Sequence, residues 1–251
     1  MSSPLFPRKS GRAVASLAVV VCLILSGCVR RPPEPLRPSP YPSRTEAPLV
    51  GGLVDRAIDG GTQGAVVREG RDLGRCLAEL NAARVRFSPV PDRQNTATCG
   101  LSQGGVLGAD LGTVARLAPG DVEMTCQTAL ALSIWRRQSL EPAAREILGS
   151  DVVQIDHMGA YACRNVNNGV GSNRVSAHSQ AAALDFAGVR LRDGRRITVT
   201  NGWNGDTAEA RFLRRIRDDA CRIFGTTLSP DYNAVHYDHL HLEATDTRFC
   251  R

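Results

Sequence analysis

Lysine is nearly missing from this chain: Lys9 is the only one, so the positive charge is almost all arginine. No basic run carries interleaved aromatics, which argues against a nucleic-acid-binding face. There is no Cys-x-x-Cys pair, which argues against zinc ribbons and thioredoxin-type redox chemistry. The apolar run Ala13–Leu25 falls short of the roughly 20 residues that span a bilayer as a helix. No internal repeat is present, and no second Pro/Gly-rich linker follows residue 48. The roughly 200 residues beyond it are the normal size of one domain with its own core.

What is present at the N-terminus has three parts. Arg8, Lys9 and Arg12, with no acid among them, precede the Ala13–Leu25 run. That order and length suit a signal peptide. The run ends in Leu25-Ser26-Gly27-Cys28, which resembles the lipobox of bacterial lipoproteins. The resemblance implies cleavage before Cys28, diacylglycerol on its thiol and a further acyl chain on its new amine. Several acyl chains make a stable anchor where one would be marginal. The bland alternative is an uncleaved anchor with an incidental cysteine. Pro32, Pro33, Pro35, Pro38, Pro40 and Pro42 then disfavour helix and sheet and suit an extended tether. The expected organisation is a signal peptide over 1–27, a lipidated Cys28 with its tether over 28–48, and a folded domain over 49–251. Val29 stands where an Asp commonly retains Gram-negative lipoproteins at the inner membrane. The lipoprotein resemblance therefore implies an outer-membrane anchor facing the periplasm.

Removal of residues 1–27 leaves 28 Lys and Arg against 25 Asp and Glu, a net charge of +3. So small a value reads as a solvated mixed surface, and a monomer is expected. Six cysteines lie beyond the lipobox: Cys76, Cys99, Cys126, Cys163, Cys221 and Cys250. An even, well-spread set in an exported chain predicts three disulfides, with 15 possible connectivities. Our expected pairing is Cys76–Cys99, Cys126–Cys163 and Cys221–Cys250.

Apolar spacing predicts helices over Asp72–Ala83, Asp121–Trp135 (capped by Asp121, with Glu123 in its first turn), Glu141–Leu148 and Asp206–Phe224. Arg84–Pro89 and Val152–His157 read as extended. Leu184–Leu191 and Arg196–Thr200 form a hairpin across Arg192-Asp193-Gly194-Arg195. His239–Ala244 alternates and ends the domain as a strand. Helices followed by a mostly antiparallel sheet make an α+β domain.

Three of the five histidines fall in His236-Tyr237-Asp238-His239-Leu240-His241. Alternation along a strand brings His239 and His241 out on one face. Upstream, six residues separate His178 from Asp185, long enough for a loop to lead into a strand. Imidazoles and a carboxylate are the usual ligands of a catalytic zinc. His-x6-Asp followed by His-x-His resembles the metal signature of the zinc peptidases that include D-Ala-D-Ala carboxypeptidases and dipeptidases and the penicillin-insensitive murein endopeptidase. Their longer Ser-x-His-x-x-Gly-x-Ala-x-Asp pattern matches at Ser176, His178, Ala183 and Asp185 and fails at Ala181. The stretch from Tyr161-Ala162-Cys163-Arg164 through Trp203 and Cys221-Arg222-Ile223-Phe224 to the terminal HYDHLHLE resembles the bacterial extensin-like C-terminal domain family.

These resemblances imply a hedgehog/D-Ala-D-Ala peptidase-like fold, with His178, Asp185 and His241 as zinc ligands. Asp238 and His239 both stand where relatives place a catalytic group, and the choice between them stays open. His236, Tyr161 and Ser176 become candidates for contact with substrate. Arg164 becomes a candidate to hold a substrate carboxylate or a developing oxyanion. It reads equally well as a surface charge packed beside a disulfide. His157, Trp203 and Phe224 read as structural. The implied substrate is a peptide bond in peptidoglycan. The competing class is a non-catalytic wall-binding lipoprotein with a structural zinc, in which His239 would close a four-ligand shell.

Overall fold

Asp72 starts the first expected helix as its sequence position suggests: its Oδ1 accepts a hydrogen bond from Arg75 N at 2.8 Å. The computed structural model describes residues 52–169 and 173–251. Cys28, the signal segment and the tether lie outside the described residues. Among these, no helix is long and apolar enough to cross a membrane. The chain opens with α1 (Thr62–Gly70) and α2 (Leu73–Ala82), the latter burying Cys76 and Leu80. Six short strands follow: β1 (Val85–Pro89), β2 (Arg93–Gln94), β3 (Gly100–Leu101), β4 (Gly104–Asp110), β5 (Arg116–Ala118) and β6 (Val122–Thr125). β1, β4 and β6 form an antiparallel sheet, while β2 and β3 form a separate hairpin.

The helix expected over Asp121–Trp135 is corrected at its start. Val122 and Met124 are buried alternately, and the segment pairs with β4 as β6. α3 (Cys126–Trp135) begins only after Thr125, whose Oγ1 accepts from Thr128 N at 3.2 Å. Glu123 is not a first-turn residue; it receives Arg93 Nη1 at 2.6 Å. All but one of the α3 residues are buried, so it has no solvent face to mark a boundary by periodicity. A π-helical turn, α4 (Glu141–Ala143) and a second π-helical turn continue it to Leu148, where Gly149 stops the run at φ +69°.

The remaining elements are β7 (Val152–His157), β8 (Ala183–Leu191), β9 (Arg196–Thr198), α5 (Val199–Gly202), α6 (Ala208–Ala220), β10 (Thr226–Leu228), β11 (Leu240–Glu243) and β12 (Phe249–Cys250). The main sheet has the order β12-β10-β11-β8-β7-β5, with β9 also paired to β8. Its β5–β7 and β10–β12 pairs are parallel and the others antiparallel. The domain is α+β. The predicted hairpin is present, but its second strand ends at Thr198, which caps α5. Close approach of β9 requires Gly188, since a Cβ there would lie 2.3 Å from Ile197 O.

Burial of Trp135 fixes the sheet on α3. Its ring meets Phe186 edge-on at 5.1 Å, and its Nε1 donates to Ile216 O of α6 at 2.8 Å. Trp203 and Phe224 are buried in the same core, and His157 Nε2 donates to Pro119 O at 2.8 Å.

The six cysteines form three disulfides, but two expected pairs are wrong. Cys76 joins Cys126, tying α2 to the first residue of α3, and Cys99 joins Cys163. Cys221–Cys250 is as expected. Nearest-in-sequence pairing failed because α1 and α2 pack on α3, while the β2–β3 hairpin reaches the loop after β7.

Candidate metal centre

His178 is set by a short 3-10 turn, Ala177–Gln180. The Ser176 hydroxyl caps it by accepting from His178 N at 3.4 Å. The turn closes at Ala181, which adopts φ +51°. An alanine holds this left-handed turn at a steric cost that glycine would not bear. The chain then enters β8 and delivers Asp185. Antiparallel register places His241 of β11 directly opposite Asp185.

Three donor atoms converge. His178 Nε2 lies 3.1 Å from Asp185 Oδ1 and 3.2 Å from His241 Nδ1, and His241 Nδ1 lies 2.9 Å from the same Asp185 oxygen. All three residues are buried, and among the described residues they form a group that could hold a metal ion. A tetrahedral ion with bonds of about 2.0–2.1 Å has ligand-to-ligand edges of about 3.3 Å, so these separations fit.

The far side of each ring is also held. His178 Nδ1 donates to Ala160 O at 2.9 Å, and His241 Nε2 faces Glu243 Oε2 at 3.4 Å. Such outer contacts leave the opposite nitrogen of each ring to serve as donor to a metal. Burial opposes charge on His241, but the Asp185 and Glu243 carboxylates outweigh it and push the pKa up to about 9. Burial likewise opposes an ionised Asp185, yet hydrogen bonds from His178 and His241 hold it well below the usual carboxylate range.

Beside this triangle stands a second pair. His239 Nδ1 lies 2.9 Å from Asp238 Oδ1, while its Nε2 lies 3.6 Å from Asp185 Oδ1. A carboxylate only accepts, so Nδ1 donates in this bond, and Nε2 is the ring nitrogen turned toward the triangle. The His236 ring lies 5.0 Å from that of His239, and its Nδ1 meets Asn233 Oδ1 at 2.7 Å. Burial, reinforced by His239 and His241, pushes the His236 pKa down to about 4. Arg164 Nη2 is 3.8 Å from Asp185 Oδ2, which brings its guanidinium to the centre.

An open cleft of about 1060 Å³ is lined by Arg164, Ser176, His236, His239 and His241. Tyr161 is held elsewhere, accepting from Asn95 Nδ2 at 2.6 Å beneath the Arg93 guanidinium. His157 uses both ring nitrogens structurally, its Nδ1 accepting from Gly159 N at 3.0 Å. Glu243 was missed by sequence reasoning, although its period-two spacing from His239 and His241 was visible. The Ala160 carbonyl and Asn233 carried no such signal.

The fold and cluster define an α+β domain with a buried His-Asp-His triangle suited to a divalent cation. Over residues 74–251 the chain matches the model of the extensin-like protein C-terminus family, and it belongs to that family. No curated protein and no solved structure matches it.

Proposed function

We propose that this domain is a zinc peptidase related to the hedgehog/D-Ala-D-Ala peptidases and acts on peptide bonds of peptidoglycan. The observation that carries the reading is the triangle of donor atoms with the Asp238–His239 pair beside it. Two imidazoles and one carboxylate suit zinc, and three protein ligands leave a position open.

A zinc ion held there would supply Lewis acidity, acidifying a water and polarising a carbonyl. His178, Asp185 and His241 hold the ion. His239 accepts a proton at Nε2 and returns it to the leaving amine. Asp238 keeps His239 in the required tautomer and stabilises its charged form. Arg164 binds the carbonyl oxygen or a terminal carboxylate of the substrate. Neutral His236 and the Ser176 end of the turn face the bound chain.

Cys28 lipidation and the proline-rich tether place the domain against the wall, anchored to the outer membrane on its periplasmic side, where it works as a monomer. The test is metal content of the purified full chain in detergent, then muropeptide products after incubation with peptidoglycan, beside His178→Ala. About one zinc per chain with new products absent from the variant supports the reading. Zinc without products moves it to a wall-binding module.

A further inference from the structure

The cleft extends well beyond the groups that hold or face the metal. Even at about 30 Å³ per non-hydrogen atom, a free alanine dipeptide would fill roughly a third of the 1060 Å³. Two unlike surfaces line the extension.

One surface is aromatic. Tyr232 and Phe249 meet edge-to-face at 5.7 Å, yet they remain 42 % and 40 % exposed. Val235, 49 % exposed, lines the same cleft. Large apolar side chains left open in a cleft mark a binding surface. Both rings are anchored from their flanks. Cys250, next to Phe249, is bonded to Cys221, and Asp231, next to Tyr232, accepts from Trp203 Nε1 at 2.8 Å.

The other surface is a row of hydroxyls starting beside the metal centre. Thr245 Oγ1 donates to Glu243 Oε1 at 3.0 Å, Thr245 and Thr247 hydroxyls lie 2.8 Å apart, and Thr247 and Thr226 hydroxyls lie 2.9 Å apart. Each hydroxyl has one donor and two acceptor sites, so the row keeps capacity for a ligand after these bonds.

An apolar ring platform next to a line of hydroxyls matches a sugar ring, which has a C–H face and a hydroxylated rim. We propose that the extension is a saccharide subsite, with the sugar's face on Tyr232 and its hydroxyls on Thr247 and Thr226. The site then takes a stem peptide still attached to its glycan rather than a released dipeptide. This rests on the peptidase reading only for what lies at the metal.

The test is equilibrium binding of peptide-free glycan strands, built of N-acetylglucosamine–N-acetylmuramic acid repeats, to the full chain in detergent. No turnover is needed. Wild type is expected to bind, Tyr232→Ala to weaken binding about tenfold or more, and Tyr232→Phe to stay close to wild type. Thr247→Val, at an exposed position, should also weaken binding and guards against misfolding of the first variant; unchanged metal content confirms that each is folded. Glycan binding that depends on Tyr232 in a protein without hydrolytic activity keeps the subsite and removes the peptidase. No glycan binding by wild type, equal binding by Tyr232→Ala and Thr247→Val, or loss of free stem-peptide binding alone would overturn the subsite.

Discussion

Asp238 Oδ1 lies 2.9 Å from Nδ1 of His239, so the two side chains that the sequence offers as rivals form one unit. The carboxylate orients the imidazole, and the imidazole presents Nε2 toward Asp185. Under the proposed mechanism, His239→Gln lowers turnover about 10²–10⁴-fold, the contribution of a positioned acid–base group. Asp238→Asn lowers it in the same direction, and bound metal stays near wild type in both. Because the two act together, the double variant is little worse than His239→Gln alone. Steady-state kinetics beside metal analysis checks this; full activity in both single variants removes the pair from the mechanism.

Metal binding at the proposed centre is expected to depend on pH in a direction the geometry sets. His241 keeps its proton up to about pH 9 because Asp185 and Glu243 stabilise the charged ring against burial. A cation at Nδ1 must displace that proton. Affinity therefore rises with pH up to about 9 and falls by about tenfold for each unit below it. Competition with a chelator between pH 6 and 9, and calorimetry in buffers of different ionisation enthalpy, measure this. Affinity independent of pH, with no proton released, contradicts the assignment of His241.

Glu243 holds the opposite edge of His241, at 3.4 Å from Nε2. Loss of such an outer partner costs about 10–100-fold in metal affinity. Glu243→Ala is expected to fall in that range and Glu243→Gln, which still accepts a hydrogen bond, between it and wild type. Equal affinities across the three proteins would make Glu243 a bystander.

Ala181 supplies a stability test. Its left-handed φ of +51° costs about 1–2 kcal/mol, while glycine there would lose a buried methyl and add unfolded-chain entropy of about the same total. Ala181→Gly should change stability by less than about 1 kcal/mol. Ala181→Val, branched at a buried left-handed position, should cost more than about 2 kcal/mol and weaken metal binding, because the turn between His178 and Asp185 no longer closes. Chemical denaturation decides between the two outcomes; a well-tolerated valine refutes the constraint.

Local chemistry made much of this legible. Asp72 caps α2, and the Arg192–Arg195 turn joins β8 to β9. Each depends on neighbours in sequence, whereas the set His178, Asp185 and His241 comes from the zinc-peptidase resemblance, and the pairing of β8 with β11 helps bring it together. Val122–Thr125 was misread because its period-two burial runs without a break into a helix buried on nearly every side. The disulfide pairing was illegible for a different reason. Cys99 meets Cys163 only because the β2–β3 hairpin folds back over the loop after β7, a contact between distant segments. The same long-range packing supplies the Ala160 carbonyl behind His178.

The proposed peptidase requires His178, Asp185 and His241 to hold a zinc ion where a peptide bond of the wall is cut. The most direct measurement pairs metal content with muropeptide products for the full chain and for His178→Ala. The expected result is about one zinc per chain, products that only the wild-type protein forms, and loss of both in the variant. A wild-type protein that binds no zinc, or one whose products persist unchanged in His178→Ala, would contradict it.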